Sequence, residues 1–214
     1  MTLAMPRLQR VPQDERGITI GDFLVPIRVW ERIGVRARHV ALIVAGALVI
    51  FLTALISIPV PGSPVPITGQ TFGVLLVGGA LGFRRGIAAT ALYVLLGVVG
   101  LPFFAEGKSG FETVFGATGG YLLGFILAGA LVGRLAELGW DRRIVGSIAA
   151  MVLGNVLIYV VGVPWLKVVT GETWEWSFQN GLYLYVVGDV LKLLLAAAAF
   201  PAAWWVVGRR PGDR

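Results

Sequence analysis

Asp189 and Lys192 are opposite charges three residues apart inside an otherwise apolar run, Leu184 to Val207. On a helix that spacing places both side chains on roughly one face. An isolated charge inside a bilayer costs about 3 kcal/mol on insertion scales, and a paired opposite charge lowers that cost. The carboxylate offers acceptors to ligand N–H groups, and the ammonium offers donors to a carbonyl or carboxylate. The pair therefore reads as a polar grip on a small ligand or, in the plainer reading, as a lock between helices.

Other polar residues fall in the same half of the apolar runs. Asn155 and Tyr159 are one helical turn apart and share a face. Gln70 is flanked by Thr68 and Thr71, Thr118 and Tyr121 open another run, and Tyr93 lies inside a third. Each alone is explained by an interhelical hydrogen bond; their clustering points to a pocket. Trp165, Trp174 and Trp176 fit interface anchors or a lid over a ligand. Pro59, Pro61, Pro64 and Pro66 make the intervening loop extended and stiff. Such a loop either caps a site or simply joins two helices.

Several chemistries are excluded. The chain has no cysteine and a single histidine, His39, so it holds neither thiolate nor multi-histidine metal chemistry. Aspartyl proteolysis needs two carboxylates sharing a proton, and Asp189 has no intramembrane partner of its kind. Gly78, Gly79 and Gly82 lack the strand–turn–helix setting of a dinucleotide loop, and no phosphate-binding loop is present. We expect no enzyme activity, no bound metal and no cofactor.

The elements that position these residues follow from composition. Of 214 residues, 57% are hydrophobic and only 14% charged, with a mean hydropathy of +0.81. Soluble domains carry about a quarter charged residues. The apolar runs predict six transmembrane helices: Val40 to Ile58, Ile67 to Phe83, Ile87 to Leu101, Phe115 to Val132, Ile144 to Val163 and Leu184 to Val207. The second and third fall short of the ~20 residues that cross a bilayer. The fold class is an all-α, polytopic membrane bundle. Residues 1–39 form an N-terminal extension with a possible interfacial helix over Ile20 to Ile33, carrying Phe23, Ile27 and Trp30 on one side. Residues 40–207 form the membrane domain and 208–214 a tail.

The net charge of +6 is distributed by side. Arginines gather before residue 40, at Arg84 and Arg85, at Arg134, Arg142 and Arg143, and in the tail; the alternate loops are slightly acidic. That alternation places both termini in the cytoplasm and argues against a nucleic-acid surface. Glycines are frequent within the runs, and Gly116, Gly120 and Gly124 repeat every four residues, as do Ala41 and Ala45. Small residues let membrane helices approach closely.

Six segments, in order, resemble the BioY family, the biotin-specific substrate-binding components of energy-coupling-factor (ECF) transporters. They are Ile58 to Gln70, Leu81 to Gly86, Gly100 to Ala105, Gly116 to Phe125, Gly154 to Tyr159 and Gly188 to Lys192. The resemblance implies a six-helix S component in the cell membrane that captures biotin from outside. A transmembrane coupling protein and two ATPase subunits would supply the energy from ATP. It implies that Asp189 and Lys192 meet the ureido head group, with Asn155, Tyr159 and Gln70 beside them. Phe72, Tyr93, Phe103 and Tyr121 are the expected apolar walls, and Ala41 and Ala45 the face for the coupling protein. The chain departs from the family pattern at Val187 and Ala117, where proline is common, at Glu106, where a polar residue such as asparagine is common, and in its arginine-rich extension. The alternatives are an S component for another vitamin and an oligomeric channel or structural bundle.

Overall fold

The computed structural model describes residues 19–22 and 34–207. Its elements are α1 (Val35–Ala54), β1 (Ser57–Ile58), β2 (Ile67–Thr68), α2 (Gln70–Leu81), α3 (Phe83–Val98), α4 (Gly110–Phe115), α5 (Gly119–Glu137), α6 (Ile144–Thr170), α7 (Trp174–Phe178) and α8 (Leu184–Val207). Among the described residues, four stretches are long and apolar enough to cross a membrane: Arg36–Ala54, Gly119–Glu137, Ile144–Thr170 and Trp174–Trp205. Helices α2 and α3 are shorter, as the sequence predicts. The expected interfacial helix lies, past Asp22, outside the described residues, as does the tail from residue 208.

The helix ends differ from the hydropathy reading because backbone features, not polarity, set them. The first helix stops at Ala54 rather than Ile58. Pro59 disfavours helix in the residue before it, and Ser57 and Ile58 pair antiparallel with Thr68 and Ile67. The second helix loses Ile67 and Thr68 to that ladder. It ends at Gly82, whose φ of 81° lies in the left-handed region that glycine tolerates. The third helix starts at once, so Arg84 and Arg85 belong to its first turn rather than to a loop. The Phe83 N–H donates to Glu137 Oε1 at 2.9 Å, a carboxylate at the positive end of the helix dipole.

The expected fourth helix is divided. Helix α4 ends at Phe115, and α5 begins only at Gly119, so Gly116 does not continue the stripe of Gly120 and Gly124. Those two glycines do face α6. A Cβ on Gly120 would sit 2.2 Å from the Trp165 Cβ, and one on Gly124 2.9 Å from the Ile158 Cα. The two backbones meet where side chains would hold them apart. Helix α6 runs on past Val163 to Thr170, carrying Pro164 inside it.

Helix α2 lies within the bundle, in contact with α1, α3, α5 and α8, with Val74, Leu75, Val77 and Leu81 buried. Outward, α8 exposes Val187, Val190, Leu191, Leu194 and Leu195. In water that face would be costly; against lipid it is the expected surface. At the arginine-rich end, the carboxylate of Asp22 accepts from Arg85 at 2.8 and 3.0 Å and from Arg38 at 3.4 Å. This ties the extension to α1 and α3.

Candidate functional site

The end of α2 remote from the arginines opens into a pocket lined by both polar and apolar side chains. Each wall comes from a different element. Helix α8 supplies Tyr185, Asp189 and Lys192, at spacings of four and three. Helix α5 and its cap supply Thr118, Tyr121, Leu122 and Phe125, a continuous face. Gln70 and Thr71 come from the first turn of α2, Ile158 and Tyr159 from α6, and Val65, Pro66, Phe104 and Lys108 from loops.

Asp189 is the hub. Its Oδ2 accepts from Asn155 Nδ2 at 3.0 Å and from the Tyr159 hydroxyl, and its Oδ1 from Lys192 Nζ at 3.0 Å. An ionised carboxylate has about four acceptor sites. Three are used, and one remains on Oδ1. Lys192 has three N–H donors; one goes to Asp189 and another to Thr71 Oγ1 at 3.3 Å. Among the described contacts, the pair keeps one acceptor and one donor side by side. Its depth matters: the Asp189 side chain is 4% exposed and that of Lys192 19%. In such surroundings unpaired groups are costly, so a ligand that satisfies both is favoured.

The residues expected from sequence divide by role. Asp189, Lys192, Tyr159, Gln70 and Tyr121 line the cavity. Asn155 does not, but it holds Asp189. Tyr93 is fully buried behind the site, and its hydroxyl accepts from Gln70 Nε2. Phe103 stacks on Phe51 with centroids 4.3 Å apart, and Phe72 packs against the core; neither lines the cavity. Beside Tyr121, the apolar lining comes from Leu122, Phe125, Ile158 and Phe104. Phe125 was legible as one turn beyond Tyr121, and Tyr185 as one turn before Asp189. Phe104 carried no such signal, because a loop has no period to read. Trp165 Nε1 donates to the Gly116 carbonyl at 2.9 Å, holding the break before α5.

The proline-bearing loop is fastened over the site. Ser63 Oγ donates to the Asn180 carbonyl at 2.8 Å, and the Tyr185 hydroxyl lies 2.9 Å from Ser63 Oγ and donates to the Val65 carbonyl. Ala41 and Ala45 are exposed on α1, with Leu48 and Leu52 beyond them.

A multi-pass helical bundle enclosing a deep acid–base pair beneath a stiff loop is the architecture of a membrane component that binds a small solute. The BioY family model matches residues 28–209. The biotin transporter BioY of Thermotoga maritima is 40% identical over 157 residues, covering 73% of this chain and 86% of the relative. The biotin transporter BioY2 of Lactococcus lactis subsp. cremoris is 34% identical over 155 residues, 72% of this chain and 83% of its own length. The chain belongs to the BioY family. In fold it is similar to the crystallised S-component for biotin from an ECF-type ABC transporter, with a TM-score of 0.72 over 78% of this chain and 90% of that one, at 24% identity. The matching relatives are named transporters, not enzymes.

Proposed function

We propose that this chain captures biotin from the outer side of the cell membrane and acts as the substrate-binding component of an ATP-driven ECF transporter. The observation that carries the reading is the acceptor–donor edge of Asp189 and Lys192 at the deep end of the cavity. A ureido ring presents an N–H beside a C=O, the complement of that edge. Leu122, Phe125 and Ile158 suit the ring's sulfur-bearing half and its alkyl chain. Membership of the BioY family and the similarity to biotin transporters support the same ligand.

In this reading six helices, α1, α2, α3, α5, α6 and α8, cross the membrane, and both termini are cytoplasmic. The exposed Ala41 and Ala45 face the transmembrane coupling protein, and two ATPase subunits hydrolyse ATP elsewhere. The deciding experiment is calorimetric titration of the purified chain with biotin, in competition with other water-soluble vitamins. Saturable binding of one biotin per chain is expected. Folded protein that prefers another vitamin, or binds none, sinks the assignment.

A further inference from the structure

The cavity is lined by two cations at different depths. Lys192 is already engaged by Asp189 and Thr71. The other, Lys108, lies at the mouth with its side chain 51% exposed, and its Nζ is 2.6 Å from Glu106 Oε2. We propose that Lys108 is the contact for the carboxylate at the far end of the bound ligand, and that Glu106 occupies that ammonium until the ligand arrives. The proposal rests on the biotin reading and adds to it a second anchor, specific to an acid group.

The loop is built to hold an ammonium there. The Phe104 N–H donates to the Lys108 carbonyl and the Lys108 N–H to the Ala105 carbonyl, both at 3.1 Å. Phe104 is buried and meets the edge of Tyr93, which fixes the root of the loop in the core. Glu106 is the one residue other than glycine, among those described, with a left-handed backbone, at φ 60°. Such a conformation persists where the surroundings enforce it, and it clusters at ligand sites. A half-exposed ion pair is weak, so exchanging one carboxylate for another is inexpensive. Glu106 thus lowers the affinity of Lys108 for a carboxylate without abolishing it. A ligand gripped at both ends also discriminates against molecules that carry the head group alone.

The test compares biotin with biotinamide, which keeps the head group and chain but lacks the charge. For Lys108→Met the expected result is a loss of about two- to five-fold for biotin, the scale of a half-exposed ion pair, with biotinamide unchanged. Lys108→Arg restores most of the loss. Glu106→Gln strengthens biotin several-fold and leaves biotinamide unchanged. Equal losses for both compounds in Lys108→Met, or none, overturn the carboxylate contact. Unaltered biotin affinity in Glu106→Gln overturns the exchange. Wild-type protein that binds neither compound overturns the biotin reading itself, and this proposal with it.

Discussion

The hydroxyl of Tyr185 donates to the carbonyl of Val65, joining two residues 120 positions apart in the chain. One lies on the helix that carries the acid–base pair, and the other in the proline-bearing loop above it. The loop's stiffness comes from its prolines, but its position comes from this tether and from Ser63.

Tyr185→Phe removes the tether and keeps the ring. A net hydrogen bond is worth about 1 kcal/mol, so biotin affinity should fall about five-fold, mostly through faster release. Stopped-flow dissociation on the variant measures this. An unchanged release rate shows that the loop does not retain the ligand.

Asp189→Asn leaves Lys192 without its counter-charge at depth. Breaking a buried pair from one side costs roughly 3 kcal/mol or more, so both melting temperature in detergent and biotin affinity should drop. The double variant Asp189→Leu with Lys192→Met removes both charges and should recover stability without recovering binding. Recovery of both would make the pair a structural lock.

Tyr93→Phe and Phe103→Ala separate support from packing. The Tyr93 hydroxyl reaches the site through Gln70, while its ring keeps its edge contact with Phe104 in the Phe variant, so loss of the hydroxyl should weaken binding a few-fold with little change in melting. Phe103 stacks on Phe51 away from the cavity. Phe103 is only partly buried, so its truncation should cost about 1–2 kcal/mol of stability, below the value for a core ring, and leave affinity nearly intact. Parallel thermal-shift and binding assays decide both.

Asp141, in the turn between α5 and α6 and outside the membrane helices, has its pKa raised from 3.8 to about 6 by burial, only partly offset by the Trp204 hydrogen bond and by Arg142. The folded state therefore binds a proton more readily than the unfolded one. This group favours the fold most below pH 4 and loses that contribution as pH rises through 6. About two pH units of displacement correspond to about 3 kcal/mol. Asp141→Asn keeps an acceptor for Trp204 and removes the charge. It should flatten the pH dependence of melting between pH 4 and 7 and raise the melting temperature at pH 7.

The parts legible in the sequence were those with a period. Asp189 and Lys192 at a spacing of three, and Asn155 and Tyr159 at four, meet in space because helical spacing put each pair on one side. Hydropathy also found six apolar stretches. It did not locate Gly82 or the break at Gly116, because a left-handed turn or an interrupted helix leaves average polarity unchanged. The aromatic assignments were weakest. Phe103 and Phe104 are adjacent and chemically identical, and only the path of the loop decides which one lines the cavity.

Helix α2 has 12 residues, about 18 Å at 1.5 Å per residue, against a hydrocarbon layer of ~30 Å. On the proposed topology, Gly82 and the arginines that follow set its lower end at one membrane face. Its upper end, where Gln70 stands, then stops well beneath the opposite surface. On the proposed topology, a solute seated against Gln70 would have descended about 12 Å, roughly two-fifths of the layer, by binding alone, leaving only the remaining distance for an energised step to open.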